Sequence, residues 1–146
     1  MIVPDLNLLV YTYNADAPQH DAARRWWQRC LSSATSVGLA WAVMMGYVRV
    51  MTSRAVLMEP ISPANAIADI RAWIEQPQVQ ILVPGPRHLD IFASLTEATG
   101  TAGRITTDLH LAALAIENQA DLHTNDSDFS RFPGLRWHNP LDRNDA

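Results

Sequence analysis

Four aspartates stand where carboxylates could act together. Asp5 follows the first short apolar run, Ile2-Val3. Asp126 and Asp128 follow a later run that ends at Thr124, and Asp108 opens the helix that leads into that run. If the two runs are adjacent parallel strands, all four carboxylates converge on one edge of a sheet. Carboxylates that close repel by several kcal/mol unless another charge cancels them. The chain has no lysine: its 11 basic residues are all arginine, set against 11 Asp and 4 Glu. A divalent cation is the expected neutraliser. Hard oxygen ligands with retained waters favour Mg²⁺ or Mn²⁺ over Zn²⁺.

Each position also has an ordinary explanation when taken alone. Asp5 can cap a helix, Asp108 can complement a helix dipole, and Asn125-Asp126-Ser127-Asp128 can make a turn. It is the combination, at strand-adjacent points, that suggests a site. Other chemistries are excluded by composition. Without lysine there is no P-loop and no Schiff base. Receiver and haloacid-dehalogenase folds, which also gather aspartates at strand ends, normally use a lysine. The single Cys30 has no partner at ligand spacing, so neither a disulfide framework nor a zinc knuckle is expected. Its setting on a helix face implies an inert, partly packed thiol. No apolar run approaches the ~18 residues a membrane span requires. The N-terminus lacks the pattern of a signal peptide, so a cytoplasmic protein is expected.

The elements that must position these residues alternate along the chain. Residues 1–146 are the length of one domain, with 48% hydrophobic residues to fill a core. Strands are expected at 2–3, 36–39, 79–83, 121–124 and 135–137. Helices are expected from Asp5, over 20–31, over 41–51, from the Ser62-Pro63 start signal to about residue 76, over 87–98, and over 108–119 with Thr106 or Thr107 as cap. Residues 125–128 read as a turn. Such alternation argues an α/β fold, a three-layer α/β/α sandwich around a central, mostly parallel sheet of about four or five short strands. Ligands in such sheets sit beyond the carboxyl ends of the strands, at a topological switch point.

The residues now on the page resemble a known family. Asp5-Leu6-Asn7 follows the first strand. Asp108 lies four residues before Ala112-Ala113, and Leu122-His123-Thr124-Asn125-Asp126-Ser127-Asp128-Phe129 precedes Phe132-Pro133-Gly134-Leu135. Together these look like the PIN domain and, more narrowly, the VapC toxins of VapBC toxin–antitoxin modules. The resemblance extends over the whole chain, as one PIN-like domain. It implies a divalent-metal-dependent ribonuclease, held in check by a partner antitoxin. It also implies roles: Asp5, Asp108 and Asp126 as catalytic acids and metal ligands, Asp128 as a further catalytic acid, Thr124 as the hydroxyl that orients the site, and Asn7 as a nearby polar group. A cation held by the first three acids, directly or through waters, would activate water for in-line attack on a phosphodiester.

One departure stands out. The family's usual Glu on the third helix corresponds here to Gly46, and no acid occurs between Asp21 and Glu59. The alternative reading is therefore a degenerate PIN module that binds antitoxin or RNA and cleaves little. Arg24, Arg25, Arg29, Arg49, Arg54 and Arg104 are the arginines considered for RNA phosphates, Arg49 first. His110 and His123 are expected to pack or cap. Trp41, Met44, Met45, Val48 and Met51 form a helical stripe expected in the core, or in a groove for an antitoxin helix. Trp26 and Trp27, pointing to different sides of a helix, are expected to leave one ring exposed at a homodimer or partner surface.

Overall fold

Five short strands build the centre of the molecule: β1 Ile2–Pro4, β2 Val37–Ala40, β3 Val79–Leu82, β4 Asp121–His123 and β5 Arg136–His138. The computed structural model describes residues 1–142. All strand pairs are parallel, in the order β3-β2-β1-β4-β5. The chain first builds outward from β1 to β2 and β3, then crosses to the other side of β1 for β4 and β5. The switch point is the β1/β4 seam.

Six helices of eight residues or more cover the sheet: α1 Leu6–Tyr13, α2 His20–Ser32, α3 Trp41–Met51, α4 Pro63–Ile74, α5 His88–Thr99 and α6 Thr106–Glu117. Helices α1 to α4 pack on one another, and α5 packs on α6. Right-handed crossovers place these two groups on opposite faces of the sheet. The three-layer arrangement expected from the alternation is the one observed. No helix among the described residues is long and apolar enough to cross a membrane.

Local chemistry explains several boundaries. Ser62 accepts a hydrogen bond from the Asn65 amide at 3.1 Å, and Pro63 occupies the first turn of α4. Gly100, in the left-handed conformation (φ 71°), ends α5. Helix α6 departs from expectation: it starts at Thr106 behind a 3₁₀ turn, Gly103–Ile105, and no side chain caps it. Thr106 instead donates to the Gly103 carbonyl at 2.7 Å. Helix α6 is also buried over most of its girth, through Leu109, Leu111, Ala112, Ala113, Leu114 and Ala115. Small residues let it lie close to the sheet.

Two expectations about aromatic and sulfur side chains fail. Trp26 and Trp27 are both buried, their rings 5.5 Å apart. Trp26 donates through Nε1 to His123 Nδ1 at 3.0 Å, and Trp27 meets Trp73 edge-on. Trp73, with Tyr13 and Tyr47, covers the Trp27 side of α2, and His123 of β4 covers the Trp26 side. The α3 stripe is split. Met44 and Met51 enter the core while Trp41 and Met45 remain half exposed, because Val43, Gly46 and Tyr47 make the inward face. Cys30 is buried and its thiol is pushed up to about 11 by burial, as an inert thiol should be.

His110 joins α6 to α5 through a 3.0 Å hydrogen bond between its Nδ1 and His88 Nε2. Burial, with the neighbouring His88, holds the His110 imidazole below its ordinary value. A depressed base binds fewer protons folded than unfolded, so its contribution is complete above about pH 6.5 and declines as pH falls. Glu117 lies 3.9 Å from His88 Nδ1, on the side away from His110. His110→Asn, which cannot be protonated, is expected to lose less stability than the wild type between pH 7.5 and 5.5 in urea titrations. Parallel losses would refute the assignment.

Candidate active site

The site follows from strand register. Pro4 pairs with His123 across the β1/β4 seam, and His123 with His138 across β4/β5. One residue beyond, Asp5, Thr124 and Asn139 stand side by side at the carboxyl end of the sheet. The backbone bonds continue there: the Asp5 amide donates to the His123 carbonyl and the Thr124 amide to the His138 carbonyl, both at 2.9 Å.

Asp5 is the N-cap of α1, and its Oδ1 accepts from the Leu6 amide at 2.7 Å. Its Oδ2 accepts from the Thr124 hydroxyl, also at 2.7 Å. Thr124, with no exposed surface, uses its single oxygen fully. It donates to Asp5 and accepts from the Asp126 amide at 3.0 Å and from Asn7 Nδ2 at 3.3 Å. Asn7 Oδ1 in turn accepts from the Asn125 amide at 3.3 Å, and Asn139 donates to Asn125 Oδ1 at 3.2 Å. The network ties the start of α1 to the loop after β4 and to the end of β5.

Asp126 caps the 3₁₀ helix Ser127–Arg131, accepting from the Asp128 amide at 2.9 Å. The expected turn is thus the first part of a short helix. Asp128 lies at the rim, with 69% of its side chain exposed, and pairs with Arg131 at 3.3 Å. Asp108 sits in the first turn of α6, whose N-terminus lies at the same sheet edge because α6 runs antiparallel to β4.

Electrostatics shows which of these groups face one another. Burial pushes the Asp5 carboxyl up to about 6; the hydrogen bonds from Thr124 and Leu6 oppose the rise, and the charges of Asp108 and Asp126 add to it. Asp108 is also raised, first by burial and then by Asp126 and Asp128, while Arg131 pulls it down. The four aspartates read from the sequence therefore share one region. Among the described residues, no three His, Cys, Asp or Glu side chains are grouped tightly enough to enclose a metal ion directly. The donors are all carboxylate oxygens under mutual repulsion, which fits a hard divalent cation that keeps waters between itself and some ligands.

Sequence reasoning overlooked Arg131, whose charge reaches Asp108 and whose guanidinium bridges to Asp128. The i, i+3 spacing of Asp128 and Arg131 in a short helix was the available signal. The joining role of Asn125 and Asn139 depends on strand register and had no local signature. Gly46 faces α1: a Cβ there would lie 2.7 Å from Leu6 Cδ2. The space beside Gly46 is filled by Leu6, so helix α1 approaches α3 closely at this point.

The family model of the PIN domain matches residues 2–135. Ribonuclease VapC33 of Mycobacterium tuberculosis is 46% identical over 141 residues, covering 97% of this chain and 99% of that protein. The chain belongs to the PIN domain family, in its VapC branch. VapBC2 of Rickettsia felis, solved bound to a DNA fragment from its promoter, superposes with a TM-score of 0.69 at 20% identity, covering 95% of this chain and 98% of that one. VapC20 of M. tuberculosis, a sarcin-ricin loop cleaving toxin, gives 0.65 at 20% identity, over 93% and 99%. These two establish a shared PIN fold.

Asp5 makes a stability prediction for this PIN domain. Its raised value means that the folded protein holds a proton the unfolded chain releases between about pH 6 and 3.8. The cost of the ionised group is thus fully present above pH 6 and relieved below it. Asp5→Asn keeps one acceptor oxygen and sheds the charge. With chelator present it should stabilise the protein on the order of 1 kcal/mol at pH 7.5, and not at pH 4.5. Equal destabilisation at both values in denaturant titrations would contradict this account.

Proposed function

We propose that this chain is a divalent-metal-dependent ribonuclease, the toxin of a toxin–antitoxin module. The observation that carries the reading is the cluster of Asp5, Asp108 and Asp126 at the β1/β4 switch point, where a buried Thr124 donates to the Asp5 carboxyl and accepts from the Asp126 amide. The naming of a 46%-identical relative as a ribonuclease supports it. A cognate antitoxin is the expected partner, in keeping with the VapBC complexes that share the fold. Exposed apolar residues on α3 and α5, Trp41, Met45 and Leu89, support pairing with a second copy. A cytoplasmic location, where RNA and antitoxin are made, completes the reading.

Asp5, Asp108 and Asp126 would hold Mg²⁺ or Mn²⁺, in part through waters. Bound there, the cation supplies Lewis-acid stabilisation for the charge that builds on phosphate oxygens during in-line attack by water. The chain's own residues do the rest. Thr124 fixes the direction of Asp5 Oδ2 and the position of the Asp126 backbone. Leu6 N–H fixes Asp5 Oδ1, so the carboxyl is oriented before any ligand arrives. Asp128, exposed at the rim, supplies a further carboxylate toward incoming water and cation. A shallow cleft of about 320 Å³, lined by Asp5, Leu6, Asn7, Val10, Tyr11 and Val50, opens beside the cluster. Its size suits an unpaired base better than a duplex.

A second reading is favoured by one observation. Gly46 offers no carboxylate on α3 and Leu6 occupies the space beside it, so the site holds fewer acids than the family pattern. On that reading the protein binds antitoxin or RNA and cuts little. Cleavage of single-stranded RNA in Mg²⁺ or Mn²⁺ decides between them. The first reading expects turnover abolished by chelator and reduced about 100-fold or more by Asp5→Asn, Asp108→Asn or Asp126→Asn. Activity indifferent to these changes sinks it. Gly46→Glu, combined with Leu6→Ala to make room, is expected to raise cleavage less than tenfold; a far larger gain favours the second.

A further inference from the structure

We propose that Arg131 binds a phosphate of the RNA strand beside the scissile bond, exchanging the Asp128 carboxylate for a phosphodiester oxygen. The proposal rests on the ribonuclease reading and names the group in this chain that receives the substrate's charge. The local geometry is that of a held but not saturated guanidinium. Arg131 Nε donates to the Asp128 carbonyl at 2.9 Å, which anchors the group by its backbone contact whatever the Asp128 side chain does. The second contact, Nη2 to Asp128 Oδ2 at 3.3 Å, is made with a carboxylate that is itself 69% exposed, so water screens the pair and it parts at little cost. The guanidinium carbon lies 5.7 Å from the centroid of the buried Phe132 ring, which steadies it further.

The remaining N–H donors of Arg131 meet no acceptor among the described residues, and 37% of the side chain is exposed. Through Asp128 the group connects to Asp126, whose Oδ1 holds the Asp128 amide at 2.9 Å. It is therefore one short helix away from the proposed metal ligands, and its charge reaches Asp108. A phosphodiester offers two oxygens in the spacing a guanidinium fork matches. An acidic site with no lysine needs such a cation, because the strand must come close to four carboxylates. Arg24, Arg25 and Arg29 are exposed on α2, and none of them is among the charges that shift Asp5 or Asp108.

The experiment measures affinity and cleavage separately. A fluorescent, mixed-sequence, single-stranded RNA of about 20 nucleotides is titrated, in Mg²⁺ and at several salt concentrations, with the Asp5→Asn protein, with the same protein carrying Arg131→Ala or Arg131→Lys, and with a control carrying Arg71→Ala, an exposed arginine on α4. Loss of Arg131 is expected to weaken binding about tenfold and to reduce the slope of log K against log salt by about 1. Lysine should keep the slope and part of the affinity, and Arg71→Ala should change neither. In the otherwise wild-type chain, Arg131→Ala should raise KM more than it lowers kcat. An unchanged salt slope in a variant that melts like its parent overturns the proposal, as does a fall in cleavage with no fall in affinity. If the wild type binds RNA with this Arg131 dependence but never cuts it, the phosphate contact stands and the ribonuclease reading fails. If it cuts RNA and Arg131 leaves binding untouched, only the phosphate contact fails.

Discussion

The site depends on one alignment, the parallel register that sets Asp5 level with Thr124 across the β1/β4 seam. Side chains alternate faces along a strand, so a slip of one residue would turn Thr124 away from Asp5 and undo the network. The bond between them is suited to its place. A hydroxyl can donate to one carboxylate while accepting two N–H groups, and it brings no charge of its own. Thr124 does all three while fully buried. Serine would offer the same oxygen with a freer rotor. The branched threonine restricts χ1 and so aims the oxygen. From this point the fold needs only to keep β1 and β4 adjacent, which the crossover from β3 accomplishes.

What the alignment creates is an electrostatic problem. Asp5 is forced up to about 6 by burial with two other carboxylates nearby, and Asp108 rises for the same kinds of reason. In the absence of lysine, the structure relieves this with hydrogen bonds and with one guanidinium at the rim. It leaves the rest uncancelled. Replacing one of these acids by an amide would relieve the repulsion; on the proposed reading that strain serves binding. These half-buried acids repel each other, and on the proposed reading the same repulsion would give a cation its affinity.

Elements with strong local signals were readable from sequence. The Ser62-Pro63 start, the span of α3 and the alternation that implies a parallel sheet all appear as expected, because caps, proline and periodicity act over a few residues. The convergence of Asp5, Asp108, Asp126 and Asp128 was readable too, since each lies next to a strand end or a helix start and a parallel sheet brings such points together. Features decided by tertiary packing were not. Trp26 and Trp27 look divergent on a helical wheel, yet both are covered, Trp27 by the cluster of Tyr13, Tyr47 and Trp73 and Trp26 by His123. The start of α6 carries two threonines, but the chain turns through Gly103–Ile105 first, and neither caps the helix. Arg131 escaped because an arginine in a short helix is ordinary until its partner is known to lie at the mouth of a site.

The charge of the chain gains meaning from this arrangement. A formal −4 argues against a nucleic-acid partner only if the charge is spread evenly. Without Asp5, Asp108, Asp126 and Asp128, 11 acids remain against 11 arginines, so the excess belongs to one cleft. Charges farther apart than about 8 Å are largely screened at physiological salt, so an approaching strand responds to the groups it meets locally. At this mouth those groups are the carboxylate cluster, which on the proposed reading takes up a divalent cation, and Arg131 beside it. Net acidity is thus no obstacle to binding RNA: the acids that lower the total charge are the same ones that would hold the cation the phosphate meets.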